Sequence, residues 1–128
     1  VFGCDVLRGG LRFGNPYLPR QSAWNRFQFG GRRVEAEAGP DRTRVSFGDQ
    51  WQFAAEPGVV VRAFHHTESG CEFVVTTAQA AKVTFRTAAI DVESRVFIDD
   101  NEIGSEIIGE QVSFPIPGGQ KCARIRIA

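Results

Sequence analysis

The chain has 128 residues, 42% of them hydrophobic and 11% aromatic, and its 15 basic residues balance 15 acidic ones. That length suits one domain around one core, and this much apolar material excludes a disordered chain. Zero net charge excludes a uniformly basic nucleic-acid binder, and no apolar run approaches the roughly 20 residues that a membrane-spanning helix needs.

The first 31 residues differ from the rest. They carry Gly9-Gly10, Gly14, Pro16, Pro19 and Gly30-Gly31, with arginines and aromatics between them. Proline lacks an amide proton and glycine weakens regular structure. Segment 1–31 therefore reads as an arm or a set of irregular loops with one or two short strands, one of them Arg26 to Phe29. Phe2, Phe13, Tyr17, Leu18 and Trp24 are the side chains that would anchor it on a surface.

From Arg32 onward, short alternating segments are separated by turn signals. Val34, Ala36 and Ala38 share one face of the first, and Gly39-Pro40-Asp41 ends it. Thr43 to Phe47, Trp51 to Ala54 and Val59 to His66 follow, broken by Gly48-Asp49 and Glu56-Pro57-Gly58. Cys71 to Thr77, Lys82 to Thr87 and Ser94 to Asp99 come next, and Asp100-Asn101 turns the chain toward Ile103. Gln111 to Ile116 and Lys121 to Ile127 close the sequence around Pro117-Gly118-Gly119. Helical periodicity is confined to Ala78–Ala81 and Ile103–Ile108, each long enough for one turn. The expected fold is an antiparallel β-sandwich, jelly-roll or immunoglobulin-like, with about eight strands in residues 32–128 behind the N-terminal arm.

Charge is unevenly spread. Residues 1–44 hold eight arginines against four acidic residues, and residues 91–128 hold seven acidic residues against four basic ones. This split suits association of one copy's arm with the next copy's body, or neutralisation of the ends within one fold. The composition includes no Met, position 1 included, so the expectation is a chain processed or cut from something longer. Cys4, Cys71 and Cys122 make an odd count, with Cys71–Cys122 the pairing to test.

Few residues carry recognisable chemistry. His65-His66, Glu68 and Cys71 are zinc-ligand types, but neighbouring strand residues point to opposite faces, so only His66 shares a face with Glu68. Asp99-Asp100-Asn101-Glu102, with Glu106 and Glu110, supplies oxygen donors suited to calcium but lacks EF-hand spacing, and an Asp-Asn hairpin turn accounts for the same residues. His66, Glu68, Asp99 and Asn101 are thus the metal-ligand candidates. His65 and His66 are the available imidazole bases, and no nucleophile-elbow pattern accompanies them.

Tyr17, Trp24 and Trp51 are aromatic planes on which sugar rings stack, and Arg20, Asn25, Arg26 and Gln52 would supply hydrogen bonds to hydroxyls. Trp51 alternates with Phe53, so the buried face of that strand claims it. Leu7 to Phe13 interleaves Arg, Gly and Phe in the manner of single-strand nucleic-acid binders, but no basic field extends it.

Arg95-Val-Phe-Ile-Asp-Asp-Asn-Glu-Ile-Gly, Val112-Ser-Phe-Pro-Ile-Pro-Gly-Gly and Ala123-Arg-Ile-Arg-Ile resemble the closing strands of β-sandwich modules attached to polysaccharide-degrading enzymes. The resemblance covers about the last quarter of the chain and carries no binding residues across. It implies a non-catalytic module, within a larger parent protein, that binds carbohydrate or supports a carbohydrate-active enzyme. The expected ligand contacts are Tyr17, Arg20, Trp24, Asn25 and Arg26, with no catalytic residue, no cofactor and neither nucleic acid nor membrane as partner. An extracellular or periplasmic setting fits such a module. Two other readings stand beside it: a capsid- or fibre-like assembly protein whose arm contacts neighbouring copies, and a small hydrolase or lyase using His65 or His66.

Overall fold

The computed structural model describes the backbone of residues 3–7, 10–14, 23–29, 32–38, 42–48, 50–56 and 58–128, and side chains from residue 42 onward except at 49, 57 and 66. Alternation becomes pairing throughout these segments. The strands are β1 (Gly3–Leu7), β2 (Gly10–Gly14), β3 (Ala23–Phe29), β4 (Arg32–Ala38) and β5 (Thr43–Phe47). They continue as β6 (Trp51–Ala55), β7 (Val59–His66), β8 (Cys71–Thr77), β9 (Ala81–Thr87) and β10 (Val96–Ile98). The last are β11 (Asn101–Ile103), β12 (Glu106–Ile108), β13 (Gln111–Ile116) and β14 (Ala123–Ile127).

Two antiparallel seven-stranded sheets result. Sheet I runs β1-β2-β7-β8-β14-β10-β11 and sheet II runs β12-β13-β9-β6-β5-β4-β3. Among the described residues there is no helix. The chain is an all-β sandwich, as the short alternating segments required. Its core is the inward half of each alternation. Val45, Phe53, Phe85 and Val112 lie in one register row across sheet II, and none has measurable exposure. Val61 and Val75 pair in sheet I with Ala123 beyond them, all buried.

Aromatic rings join the two layers. The Trp51 ring of sheet II lies 4.6 Å from Phe64 of sheet I, and Phe53 meets Phe73 edge-on at 5.5 Å. Such pairs add about 0.5–1.5 kcal/mol each beyond their buried area. Trp51 is 3% exposed and also stacks on Phe47, which answers the choice between core and sugar platform for this residue in favour of core.

The N-terminal segment holds more strand than its composition suggests. β2 pairs with β7 and carries β1 outside it, and β3 pairs with β4 along its whole length. The alternation in β3 is hard to read, because Asn25 interrupts one face and Arg26 and Gln28 flank it on the other. Neither expected helical turn forms. Ala78 N–H donates to Gly58 O across a loop (3.0 Å) rather than within a turn. Ile103 to Ile108 is divided between β11 and β12, which belong to different sheets. Two-residue turns enforce that division. Asp99 and Asp100 both have positive φ, 47° and 68°, and join Ile98 to its partner Asn101 as a type I′ hairpin. Gly109, at φ 60°, opens the matching turn between Ile108 and Gln111.

Cys71 and Cys122 are free, the first buried and the second exposed. Register explains why they do not pair. Cys71 sits opposite Ile127, whereas Cys122 adjoins Ala123, the partner of Val75 near the other end of β8. Burial pushes the Cys71 thiol well above its ordinary range, and the neighbouring Glu72 carboxylate adds to that shift. Cys122 instead accepts a hydrogen bond from Arg62 Nη2 at 3.2 Å.

Candidate functional site

Strand alternation that fills the core also writes a second set of side chains onto each outer face. On the three central strands of sheet II these are Arg44 and Ser46 of β5, Gln52 and Ala54 of β6, and Lys82, Thr84 and Arg86 of β9. None is a carboxylate and none is a large apolar group. Two register rows cross them. One runs Arg44, Ala54, Thr84, Ser113, and the other Ser46, Gln52, Arg86, Gln111. The small Ala54 side chain between Arg44 and Thr84 leaves room for a depression.

A cavity of about 290 Å³ occupies this face, lined by Arg42, Arg44, Gln52, Thr84, Arg86 and Gln111 together with Phe53 and Ala54. A second, of about 440 Å³, is lined by Gln50, Gln52, Arg86, Thr87, Ala88 and Glu110, with Trp51 at its base. Gln52 and Arg86 line both, so the two adjoin as a groove along β6 and β9, the second cavity lying at the strand ends near Gln50 and Ala88. Thr84 and Ser113 share a hydroxyl–hydroxyl hydrogen bond of 3.2 Å at its side. Guanidinium, amide and hydroxyl groups thus converge on a rigid sheet with a cushion of buried aromatics beneath. Such a surface can hydrogen-bond a polar ligand along its length.

The sequence-derived ligand contacts meet this face only in part. Trp24 pairs with Glu37, which pairs with Arg44, so Trp24 occupies the same register row as the groove. Arg26 follows the same route through Glu35 to Ser46. Asn25 is in line with Ala36 and Val45, the row whose described members are buried. Tyr17 and Arg20 lie outside the described residues. Arg44, Thr84, Arg86 and Gln111 were not singled out in the sequence, although Gln52 was. The signal was present in the polar half of each alternating segment, whose apolar half identifies the core.

Sheet I carries a different face. One register row runs His65, Glu72, Arg126, Phe97, Glu102. The Arg126 guanidinium lies 4.3 Å from the centre of the Phe97 ring, a cation–π contact. A cavity of about 180 Å³ opens beside it, lined by His65, Glu72, Asp100 and Arg124 among others. Its lining includes no hydroxyl or thiol side chain.

The metal-ligand candidates are dispersed. His66 ends β7 opposite Cys71, and Glu68 is exposed in the β7–β8 turn. Asp99 lies in the β10–β11 turn and Asn101 directly follows it, and both have structural partners. Asp99 Oδ1 accepts the Arg124 backbone N–H at 2.9 Å, and Asn101 Nδ2 donates to Asp99 O at 3.2 Å. Among the described residues, no three His, Cys, Asp or Glu side chains come together as a metal site. Comparison with known proteins returns no matching family model, no similar curated protein and no similar solved structure.

Proposed function

We propose that this chain is a non-catalytic β-sandwich module that binds carbohydrate, with the outer groove of sheet II as its ligand surface. The observation that carries the reading is the groove itself. It follows β6 and β9 and presents amide, guanidinium and hydroxyl groups on the outer face of the sheet. Sugar hydroxyls both donate and accept, and Gln52, Gln111 and Thr84 match them in both directions. Trp24 lies in the register row of Arg44, two strands away, and supplies the aromatic residue type on which a sugar face stacks. The likeness of the closing strands to modules of polysaccharide-degrading enzymes points the same way.

Binding to a glycan array, followed by affinity electrophoresis in the best polysaccharide, tests this. Gln52→Ala and Trp24→Ala should each weaken binding about tenfold while circular dichroism stays unchanged, the loss expected for one well-made polar or stacking contact. Binding that survives both substitutions intact would remove the site from sheet II.

A further inference from the structure

We infer that the chain forms a two-fold dimer in which β3 of one copy pairs antiparallel with β3 of a second, joining two copies of sheet II into one continuous sheet. β3 ends sheet II, and among the described residues its ladder partner is β4. A terminal strand carries a row of outward N–H and C=O groups that another strand can take up.

Register tells which groups these are. Along an antiparallel strand, residues bond alternately to the neighbour on one side and on the other. Glu56 N–H donates to Lys82 O, so the even-numbered residues of β6 bond β9. Pro115, which has no N–H to give, pairs with Lys82 at the matching non-bonded position on the far side of β9. No register shift interrupts the ladders from β6 through β5 and β4 to β3. The alternation therefore bonds Ala23, Asn25, Phe27 and Phe29 to β4 and turns the backbone groups of Trp24, Arg26 and Gln28 outward. Full overlap of two β3 strands sets Trp24 opposite Gln28 of the second copy and Arg26 on the axis, for about six hydrogen bonds in all. Glu35 of β4 stands in register beside each Arg26, so the row across the junction runs acid, base, base, acid.

The sequence leaves this edge unguarded. Ala23–Phe29 is seven residues long and includes neither Pro nor Gly and a single charged residue, Arg26. The other edges differ. β11 and β12 have three residues each, and where β13 extends past β12 its outward position is Pro115. β1 is shorter, includes Gly3 and Asp5, and its Cα atoms come within 8 Å of both β3 and β4. It thus lies over this end of sheet II rather than beyond its edge. A molecule with one long unguarded edge pairs with itself and stops, because the two-fold contact uses that edge in both copies. A second copy also presents a strand of the same length with the same outward groups.

Sedimentation equilibrium of the chain over a wide concentration range tests the assignment. The expected result is a monomer–dimer equilibrium with a Kd on the order of 10 µM, as suits a small interface. Arg26→Pro removes an outward N–H and spares the ladder to β4. It should weaken the dimer about a hundredfold, the loss of two hydrogen bonds at the axis, with little change in the melting temperature of the monomer. Phe27→Pro, whose N–H bonds β4, should instead lower that melting temperature. Arg26→Cys in a Cys4→Ser, Cys122→Ser background should form a disulfide-linked dimer under oxidising conditions, since paired Cα atoms there lie about 5.5 Å apart. A monomer at every concentration overturns the assignment. So does a dimer that Arg26→Pro leaves intact, or one that Arg26→Cys fails to cross-link.

Discussion

Gly70 shows how one residue fixes a turn and a strand pair together. It ends the β7–β8 connection, where its N–H donates to Thr67 Oγ1 at 3.1 Å and its carbonyl accepts Thr67 N–H at 3.0 Å. Its Cα also lies against the last strand. A Cβ there would overlap the carbonyl oxygen of Ile127 and sit 2.9 Å from that carbonyl's carbon. Since β14 is held between β8 and β10, the Ile127 backbone has little room to retreat. Gly70→Ala should therefore cost about 3 kcal/mol, as overpacking of a close-packed interior does. Chemical denaturation reads this as a lowered midpoint with an unchanged slope. In the sequence, Gly70 reads only as part of a turn, because close approach is set by β14, which lies more than fifty residues further along the chain.

At the scale of the strand, β7 departs most from its sequence pattern. Strict alternation would put Val59, Val61, Ala63 and His65 on one face and expose Phe64. The structure inserts a bulge between Arg62 and His65 in the pairing with β8, matched by a register shift against β2. Ala63 takes the extra position with φ 52°, a left-handed conformation that side chains other than Gly adopt at a cost. The bulge returns Phe64 to the core at 3% exposure and sends His65 outward to pair with Glu72. Phe64 then contacts Trp51, Phe53, Phe73 and Phe85, so one irregular residue places the ring that joins the layers. Ala63→Gly should stabilise the fold by about 1 kcal/mol, since glycine adopts positive φ freely. Phe64→Ala should instead cost about 3–5 kcal/mol, because it empties the contact between the layers. Thermal unfolding of the two variants checks opposite signs at neighbouring positions. Elements were legible where period two held without interruption, as in β8, β9 and β13. The bulge was not, because bulges answer to neighbouring strands. The short β11 and β12 were hidden too, since three residues give too little pattern to exclude a helical turn.

For the molecule as a whole, the sequence carries the layer architecture but not the order of strands within it. Each buried alternating segment requires a sheet facing another sheet, whereas the choice of β14 as neighbour to β8, or of β9 to β6, is long-range and leaves no local mark. The same holds for the candidate site, whose groups come from β5, β6, β9 and β13 and meet only through that order. The charge split along the chain also takes on a location. Arg42 and Arg44 from its basic end join Arg86 on sheet II, while the acidic Asp99, Asp100 and Glu102 gather at the β10–β11 edge of sheet I. One core cluster nonetheless draws on both sheets, from Val45 to Ile127. Trp51 reports on it directly, since its ring stands between Phe47 of its own sheet and Phe64 of the other. Neither sheet can unfold without stripping the other's apolar face, which predicts one cooperative transition. In a Trp24→Phe background, where Trp51 is the sole indole, its fluorescence and the far-ultraviolet circular dichroism should share a single denaturant midpoint. A dichroism change that precedes the fluorescence change would show that strands at the sheet edges come away as a unit before the Trp51 core opens.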